Sequence, residues 1–450
     1  MPARQIFCSR VILWLTVGIF AGSCMAKPAP AQGLPGPPGV TGPQGVGQSG
    51  FFGGGNAVVI NQPGIGDPYA MPGGPGFGNW FSGGPGLAPA VRDRLWFRGE
   101  YLLWWTDRME SPPLITTSPE GTPQSAAGVL GEPGTSVLFG DGPINDRVAH
   151  GFLASAGFWL TPQGAFAIEG EYFRFGDQKG NFSRSGEGSP IIARPLFDMT
   201  RDAESSQLVS FPDLVAGNVR AGATSRLESF LVNGRVAMLP LQAACFSCNE
   251  PDRVDWLIGY RHLRLDEGIA ISESLRELDV VPPGSISLAE SFEAENRFHG
   301  LQLGVVHRAN FRRAWLESLI RVAIGNNAQR VRIAGNTTLI EGETRETFPG
   351  GLLAQNSNIG TYRRDEFTMI PEIGLTLGIR VTDWLHATVG YSLLYFPNVV
   401  RAGDQIDTDV NPNQFPPPLD PLVGSARPRF SFVETSYWAH GLHLGGEIRF

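Results

Sequence analysis

Lysine is nearly missing from this 450-residue sequence: Lys27 and Lys179 are the only two, so arginine carries almost all of the positive charge. Arginine suits bidentate pairing with carboxylates in a confined space, although a compositional habit of the genome would leave the same bias. Charge as a whole is sparse, at 17% of residues, and the net charge of -8 argues against nucleic acid as a partner, because that partner calls for a basic face. Cysteine is scarce too. Of four, Cys8 and Cys24 lie in or beside the N-terminal apolar segment, which leaves Cys245 and Cys248. Their C-x-x-C spacing has no second ligand pair for zinc and no thioredoxin-like context, so a local disulfide in a hairpin turn is the expectation.

Long apolar runs are absent beyond the first 20 residues. A membrane-spanning helix needs about 18 such residues in a row, so any insertion must be by a barrel. Nucleotide-binding and hydrolase motifs are missing as well: the sequence contains no G-x-S-x-G, P-loop or H-E-x-x-H. His440 and His443 are spaced H-x-x-H, but on a strand that odd spacing sends them to opposite faces. No catalytic residue, metal or cofactor is therefore assigned, and an enzyme is not expected.

What the sequence does have begins with an export signal. Arg4 and Arg10 precede the apolar stretch Val11 to Phe20, with a small-residue cleavage site near Met25-Ala26. Lipidation at Cys24 is the weaker alternative, since Ala21 stands where a leucine is usual. Residues 1–26 are read as the signal peptide. Residues 27–91 form a Gly/Pro-rich tract with a short Gly-X-Y register (Gly33, Gly36, Gly39, Gly42, Gly45) and no sustained apolar period. Such a tract cannot bury enough surface to offset its ordering entropy, so it is expected to be a disordered tether, with cell-wall polymer as a candidate contact.

From 92 to 450 the pattern changes to two-residue alternation. In Leu95 to Trp105 one face holds Leu95, Phe97, Tyr101, Leu103 and Trp105, and the other holds Arg98 and Glu100. The same pattern recurs in Phe152 to Leu160, Ala165 to Phe175, Leu227 to Leu239, Val254 to Leu265, Phe298 to His307, Leu316 to Gly325, Phe367 to Val381, Leu385 to Tyr395 and Ser436 to Phe450. Weaker candidates at Ile269 to Leu275 and Gln329 to Thr338 raise the expected total to about 12 strands, within a range of 10 to 14. The fold class is all-β, a single transmembrane antiparallel barrel. Trp104, Trp105, Trp159, Tyr172, Trp384, Tyr395 and Trp438 near the segment ends are expected to form interfacial girdles. Long segments (107–149, 176–225, 339–364, 399–435) alternate with tight turns (161–164, 382–384), as outer loops and periplasmic turns do.

The final strand ends on Phe450 with His443, Gly445 and Ile448 before it, similar to the signal read by the barrel-assembly machinery. Taken together, LWFRGEYLLWW (Leu95 to Trp105), GFWLTPQGAFAIEGEYF (Gly157 to Phe173), DWLIGYRHLRLDEGI (Asp255 to Ile269), IPEIGLTLGIRVTDWL (Ile370 to Leu385) and YWAHGLHLGGEIRF (Tyr437 to Phe450) resemble the putative beta-barrel porin 7 family of bacterial outer membranes. GGLLAQNSNIGTYRRDEF (Gly350 to Phe367) and LLYFPNVVRAGDQID (Leu393 to Asp407) add to the likeness, which runs from Leu95 to Phe450. The resemblance implies an integral outer-membrane barrel in contact with lipid, and a pore for small solutes of unnamed kind.

Inward charges are what a pore would use: Arg98, Glu100, Glu169, Glu171, Arg235, Arg261, Arg321, Glu372 and Arg380 lie on the polar faces of their strands. They would either shape the field on a passing ion or pair across a narrow lumen and plug it. Two functions follow. The expected one is passive diffusion of small solutes through a charged lumen; the alternative is a closed structural or adhesive barrel with long surface loops and no transport role. The acidic loop Gly403 to Asn413 departs from the EF-hand pattern, with Pro412 near its end and no closing Glu, and is read as a solvated turn.

Overall fold

The computed structural model describes residues 94–450, apart from 145–147, 163, 239–251 and 280–282. The export segment, the Gly/Pro tract, and the Cys245–Cys248 pair lie outside the described residues. No α-helix occurs among those described.

Ten strands close the wall: β1 (Leu95–Thr106), β2 (Ala149–Trp159), β3 (Phe166–Phe175), β4 (Val215–Ala237), β5 (Arg253–Glu277), β6 (Ser285–Asn310), β7 (Ala314–Glu341), β8 (Gly360–Arg380), β9 (Leu385–Val400) and β10 (Glu434–Arg449). Each pairs antiparallel with its neighbours in sequence, and β10 returns to β1. The seam is complete to its end, where Leu95 N–H donates to the Phe450 carbonyl at 3.1 Å and Phe450 N–H to the Leu95 carbonyl at 2.8 Å. Closure is the physical requirement here, because no water is available in hydrocarbon to pair a free peptide group.

The sheet counts twelve strands, but two of them, Gln178–Gly186 against β4 and Thr344–Pro349 against β7, lie outside the ten that close. Ten is thus the lower end of the expected range. Ile269 to Leu275 and Gln329 to Thr338 are not separate strands. They are the upper parts of β5 and β7, which run for 25 and 28 residues.

A membrane strand needs only about 9 to 11 residues, so β4 to β7 project well past the bilayer. Along them the alternation keeps its period and inverts its phase. In the lower part of β5 the outward residues are apolar (Trp256, Ile258, Tyr260) and the inward ones include Asp255 and Arg261; in the upper part Arg264, Asp266 and Ser272 face out while Leu265, Ile269 and Ile271 are buried within. Below, the solvent for the outer face is lipid, and above it is water.

Outward registers across β4 to β8 show the change row by row. Val232, Tyr260, Leu301, Ile324 and Met369 lie side by side; next comes Phe230, His262, His299, Asn326 and Phe367; then Glu228, Arg264, Arg297, Ala328 and Asp365. A charge placed in the apolar rows should be costly. Ile320, 67% exposed and lipid-facing, is expected to lose about 2–4 kcal/mol as Ile320→Arg. Ala289→Arg, on the outer face of the projecting wall, should stay within about 0.5 kcal/mol. Urea midpoints of the two variants in lipid vesicles measure the difference.

Not all the expected girdle residues face lipid. Trp105, Trp384 and Tyr395 are exposed on the outer face, but Trp104 and Trp159 are buried in the lumen. Both sit at strand ends, yet both have the inward parity of Arg98 and of Ala167. Side-chain parity, not position along the strand, decided where they went.

The long loops fold into a dome at the projecting end. Ser136–Phe139, Ile115–Ser118, Ile191–Asp198 and Ala203–Ser210 pair in a second sheet, extended by Asp409–Val410 in parallel with Ile191–Asp198. Leu114, Ile115, Ile192 and Leu196 of the dome pack with Ile269, Ile271, Phe292, Val331 and Ile333 of the upper wall in one buried cluster. The acidic loop belongs to this layer: Arg427 pairs with Asp407 at 2.9 Å and Asp409 at 3.2 Å, and the Arg429 N–H donates to Asp407 at 2.8 Å.

Where dome meets wall, the buried Arg194 guanidinium bonds Glu290 and stands 3.9 Å from Glu273. Glu290 also accepts the N–H groups of Leu352, Leu353 and Ala354 at 3.1, 3.0 and 3.1 Å. Glu273 therefore has the poorer share of the cation. Burial pushes its carboxyl up to about 7 from an ordinary 4.5, opposed by Arg194 and reinforced by the Glu290 charge. Because the folded value lies above the unfolded one, the folded state holds the extra proton between them, and stability falls as pH rises from about 4.5 through 7. The dome is expected to open more readily to proteolysis and hydrogen exchange at pH 8 than at pH 5, by at most about 3 kcal/mol. Glu273→Gln should remove most of that dependence.

Candidate functional site: the barrel lumen

Inward parity gathers charges from all sides at the short-turn end. Arg98 reaches Glu447 at 2.5 Å and Glu317 at 3.1 Å; Arg308 meets Glu317 at 2.8 Å, and Arg449 meets Glu447 at 2.6 Å. The Trp315 ring lies against this group, with the Arg308 guanidinium 4.0 Å and that of Arg98 5.2 Å from its centroid. Next to it Asp255 accepts from Arg235 and Arg253, each at 2.6 Å, and Arg253 stacks 3.8 Å over Trp159. Planar guanidinium groups can meet a carboxylate at one edge and an aromatic face at the other, which an ammonium does less well.

A second level crosses the lumen. Arg321 on β7 bonds Glu171 on β3 at 2.6 Å and Glu372 on β8 at 2.5 Å, while Arg261 on β5 reaches Glu372 at 2.6 Å. Four strands from different sides of the wall are thereby joined. Arg261 needs room to extend, and its partner across the pair with β6 is Gly300. A Cβ there would stand 2.5 Å from the Phe298 ring and from the Ile324 carbonyl. Glu169 meets Arg235 at 3.5 Å and accepts from Asn233 at 3.2 Å.

Glu100 belongs to another chain of contacts: its carboxylate lies 2.8 Å from His443 Nδ1 and accepts from Thr388 at 2.7 Å, and Ser392 Oγ stands 3.3 Å from His443 Nε2. Serine, imidazole and carboxylate in that order have the connectivity of a nucleophile relay. Its imidazole and carboxylate are both buried inside the barrel, however, between ion pairs and an apolar layer, where the same contacts hold the His443 ring in place.

That layer lies in the section above. Leu102, Trp104, Ala149, Phe173, Phe175, Leu227, Leu263, Leu265, Phe298, Ala323, Ile370, Leu394, Phe396, Tyr437 and Ala439 form one buried cluster to which every strand of the wall contributes. Ring centroids lie 5.3 Å apart for Trp104 and Phe175, 5.7 Å for Phe173 and Phe175, and 6.3 Å for Phe298 and Phe396. Over it, Arg401 pairs with Glu267 at 2.7 Å and Asp107 at 3.0 Å. Asn296, Asn327 and Gln329 donate to the backbone carbonyls of Val400 and Asn398. About eight strands leave a barrel interior that side chains just fill; with ten, arginines and aromatic rings take up the additional space.

Of the sequence-derived lumen residues, the structure joins Arg98, Glu169, Glu171, Arg235, Arg261, Arg321 and Glu372 in ion pairs, and Glu100 to His443. Arg380 stands at the foot of β8, opposite His386. His443, read as part of the terminal signal, faces the lumen. The lumen candidates left out Arg253, Asp255, Arg308 and Glu317, and also Glu447 and Arg449, which share the polar face of the last strand with His443. Parity would have found them: Asp255 shares a face with Arg261, Glu317 with Arg321, and Glu447 with His443.

A closed wall of ten antiparallel strands, apolar outside and charged inside over one membrane-length span, defines an integral outer-membrane β-barrel. The chain belongs to the family described as putative beta barrel porin-7, whose model matches residues 96–450. It has no match among curated protein sequences. Among solved structures it is similar to the outer membrane protease OmpT from Escherichia coli, at 10% identity over 80% of this chain and 98% of that one, with a TM-score of 0.38. A deletion mutant of the monoaromatic hydrocarbon channel TodX matches at 8% identity over 81% and 93%, TM-score 0.19. The P. putida toluene transporter TodX matches at 10% over 81% and 92%, TM-score 0.18. Likenesses at this level carry no argument about activity.

Proposed function

We propose that this protein is a closed outer-membrane barrel that anchors a folded dome at the cell surface, with residues 27–91 tethering it to the cell wall once residues 1–26 are removed. The observation that supports this reading is the apolar layer. A hydrated solute crossing it would have to give up water among side chains that are mostly apolar, at a cost of several kcal/mol for each polar group left without a partner. Surface display also accounts for the projecting strands, whose inner faces pack the dome. Lipid contacts the outer face, and the barrel-assembly machinery is the expected partner of the β10 strand during insertion.

A second reading, passive diffusion of small solutes, is favoured by the family description and by the charged levels below the layer. It requires the plug to rearrange. Planar-bilayer recording of the purified full chain separates the two. The closed barrel is expected to give no discrete current steps between pH 5 and 8; steady, salt-dependent steps from the unmodified protein would overturn it.

A further inference from the structure

On the outer face of the wall, in the row between the apolar registers and the first charged one, His262 of β5 stands directly opposite His299 of β6. Their rings stack with centroids 4.4 Å apart and planes 26° from parallel. Each ring is held through Nδ1. His262 Nδ1 lies 3.0 Å from the Phe298 carbonyl, which can only accept, so in the neutral ring that nitrogen carries the proton and Nε2 keeps a bare lone pair. His299 Nδ1 pairs with the Tyr260 hydroxyl at 2.5 Å. A phenolic oxygen can accept as well as donate, so His299 can adopt the same tautomer at little cost.

We propose that His262 and His299 form a surface site for a borderline divalent transition-metal ion, of the copper, nickel or zinc class, at the outer membrane interface. Neutral imidazole is the ligand these ions prefer. Metal-bound histidines almost always donate their other ring N–H to a fixed oxygen, and here the Phe298 carbonyl and the Tyr260 hydroxyl are already in that position. Stacking at 4.4 Å puts both rings on one patch of adjacent strands, and side-chain rotation that turns their Nε2 atoms toward a common point would let one ion take both. Asn326, next in the row, donates its amide to Asp365 at 2.8 Å, which leaves its own carbonyl oxygen available as a third ligand. Interfacial water completes the shell. Among the described residues no cluster of three His, Cys, Asp or Glu competes for the ion. Of the other outward histidines, His150 and His440 have Tyr partners and His307 stands between Val254 and Ser318, so none of them has a facing imidazole.

Titration of the full chain in zwitterionic micelles with Cu(II), read by electron paramagnetic resonance, tests the site. One equivalent is expected to bind with a two-nitrogen equatorial signature, and acidification should release it, since proton and metal compete for the same lone pairs. His262→Asn or His299→Asn is expected to weaken binding at least tenfold and reduce the signature to one nitrogen. Tyr260→Phe should weaken it less and keep both nitrogens. A His150→Asn/His440→Asn double variant serves as the folded control and should bind as the parent does. Binding unchanged in the His262→Asn/His299→Asn double variant, or lost in the control, would overturn the proposal.

Discussion

Phe298→Ala combined with Phe396→Ala is expected to make a silent barrel conduct. The two rings meet edge to face in the apolar layer, 6.3 Å between centroids, from β6 and β9 on different sides of the lumen. Removing both opens a gap lined below by Arg and Glu side chains, which water can enter once the neighbouring rings no longer seal it. Large-to-small changes of this kind cost about 3–5 kcal/mol each in packed cores, so the double variant should also unfold at lower urea. Conductance is the decisive readout. The unmodified protein should show none, the double variant should show brief cation- or anion-selective steps, and Phe367→Ala, which removes a ring from the lipid face, should remain silent. A double variant that folds, inserts and still passes no current would place the barrier elsewhere in the lumen.

Glu372→Gln should be the most damaging single change to the ion-pair levels. One carboxylate at this point serves both Arg261 and Arg321, at 2.6 and 2.5 Å. Arg321 would retain Glu171, whereas the side-chain hydrogen bond left to Arg261 would be that to Ser229, at 3.3 Å. Breaking a buried pair from one side costs about 3–5 kcal/mol, because it leaves an uncompensated charge. The loss should be read as a lowered urea midpoint in vesicles. Adding Arg261→Gln to Glu372→Gln should restore part of it, since the stranded cation is then gone, and the cycle of four proteins measures the coupling. Were the lumen open and wet, the same substitution would alter ion selectivity and leave the midpoint nearly unchanged, so the two readings of these charges give opposite patterns.

Much of the wall was legible from the residues. The ten strong alternating segments each match one of the ten wall strands, overrunning its ends by two residues at most, because a strand between lipid and a polar interior must alternate and few other structures impose a period of two over ten residues. Strand ends were less legible. In β5 and β7 the apolar residues change face where the wall leaves the bilayer, so a single strand reads as two segments with a break near Asp266 or Asn326. Trp104 shows the same limit on a smaller scale: enrichment of tryptophan at interfaces is a statistical preference, while the parity of β1 points this side chain inward.

By itself the sequence determined an all-β barrel with greasy outer and charged inner faces, for the local reason that side-chain direction follows from position along a strand. Whether the inward charges face water or one another was decided only by closure. Glu171, Arg261, Arg321 and Glu372 lie up to 201 positions apart on four strands, and nothing in their spacing says that a ten-strand circumference is narrow enough for them to touch. The apolar layer is of the same kind: each strand contributes one to three side chains, and only the curvature of the closed wall brings them to one level.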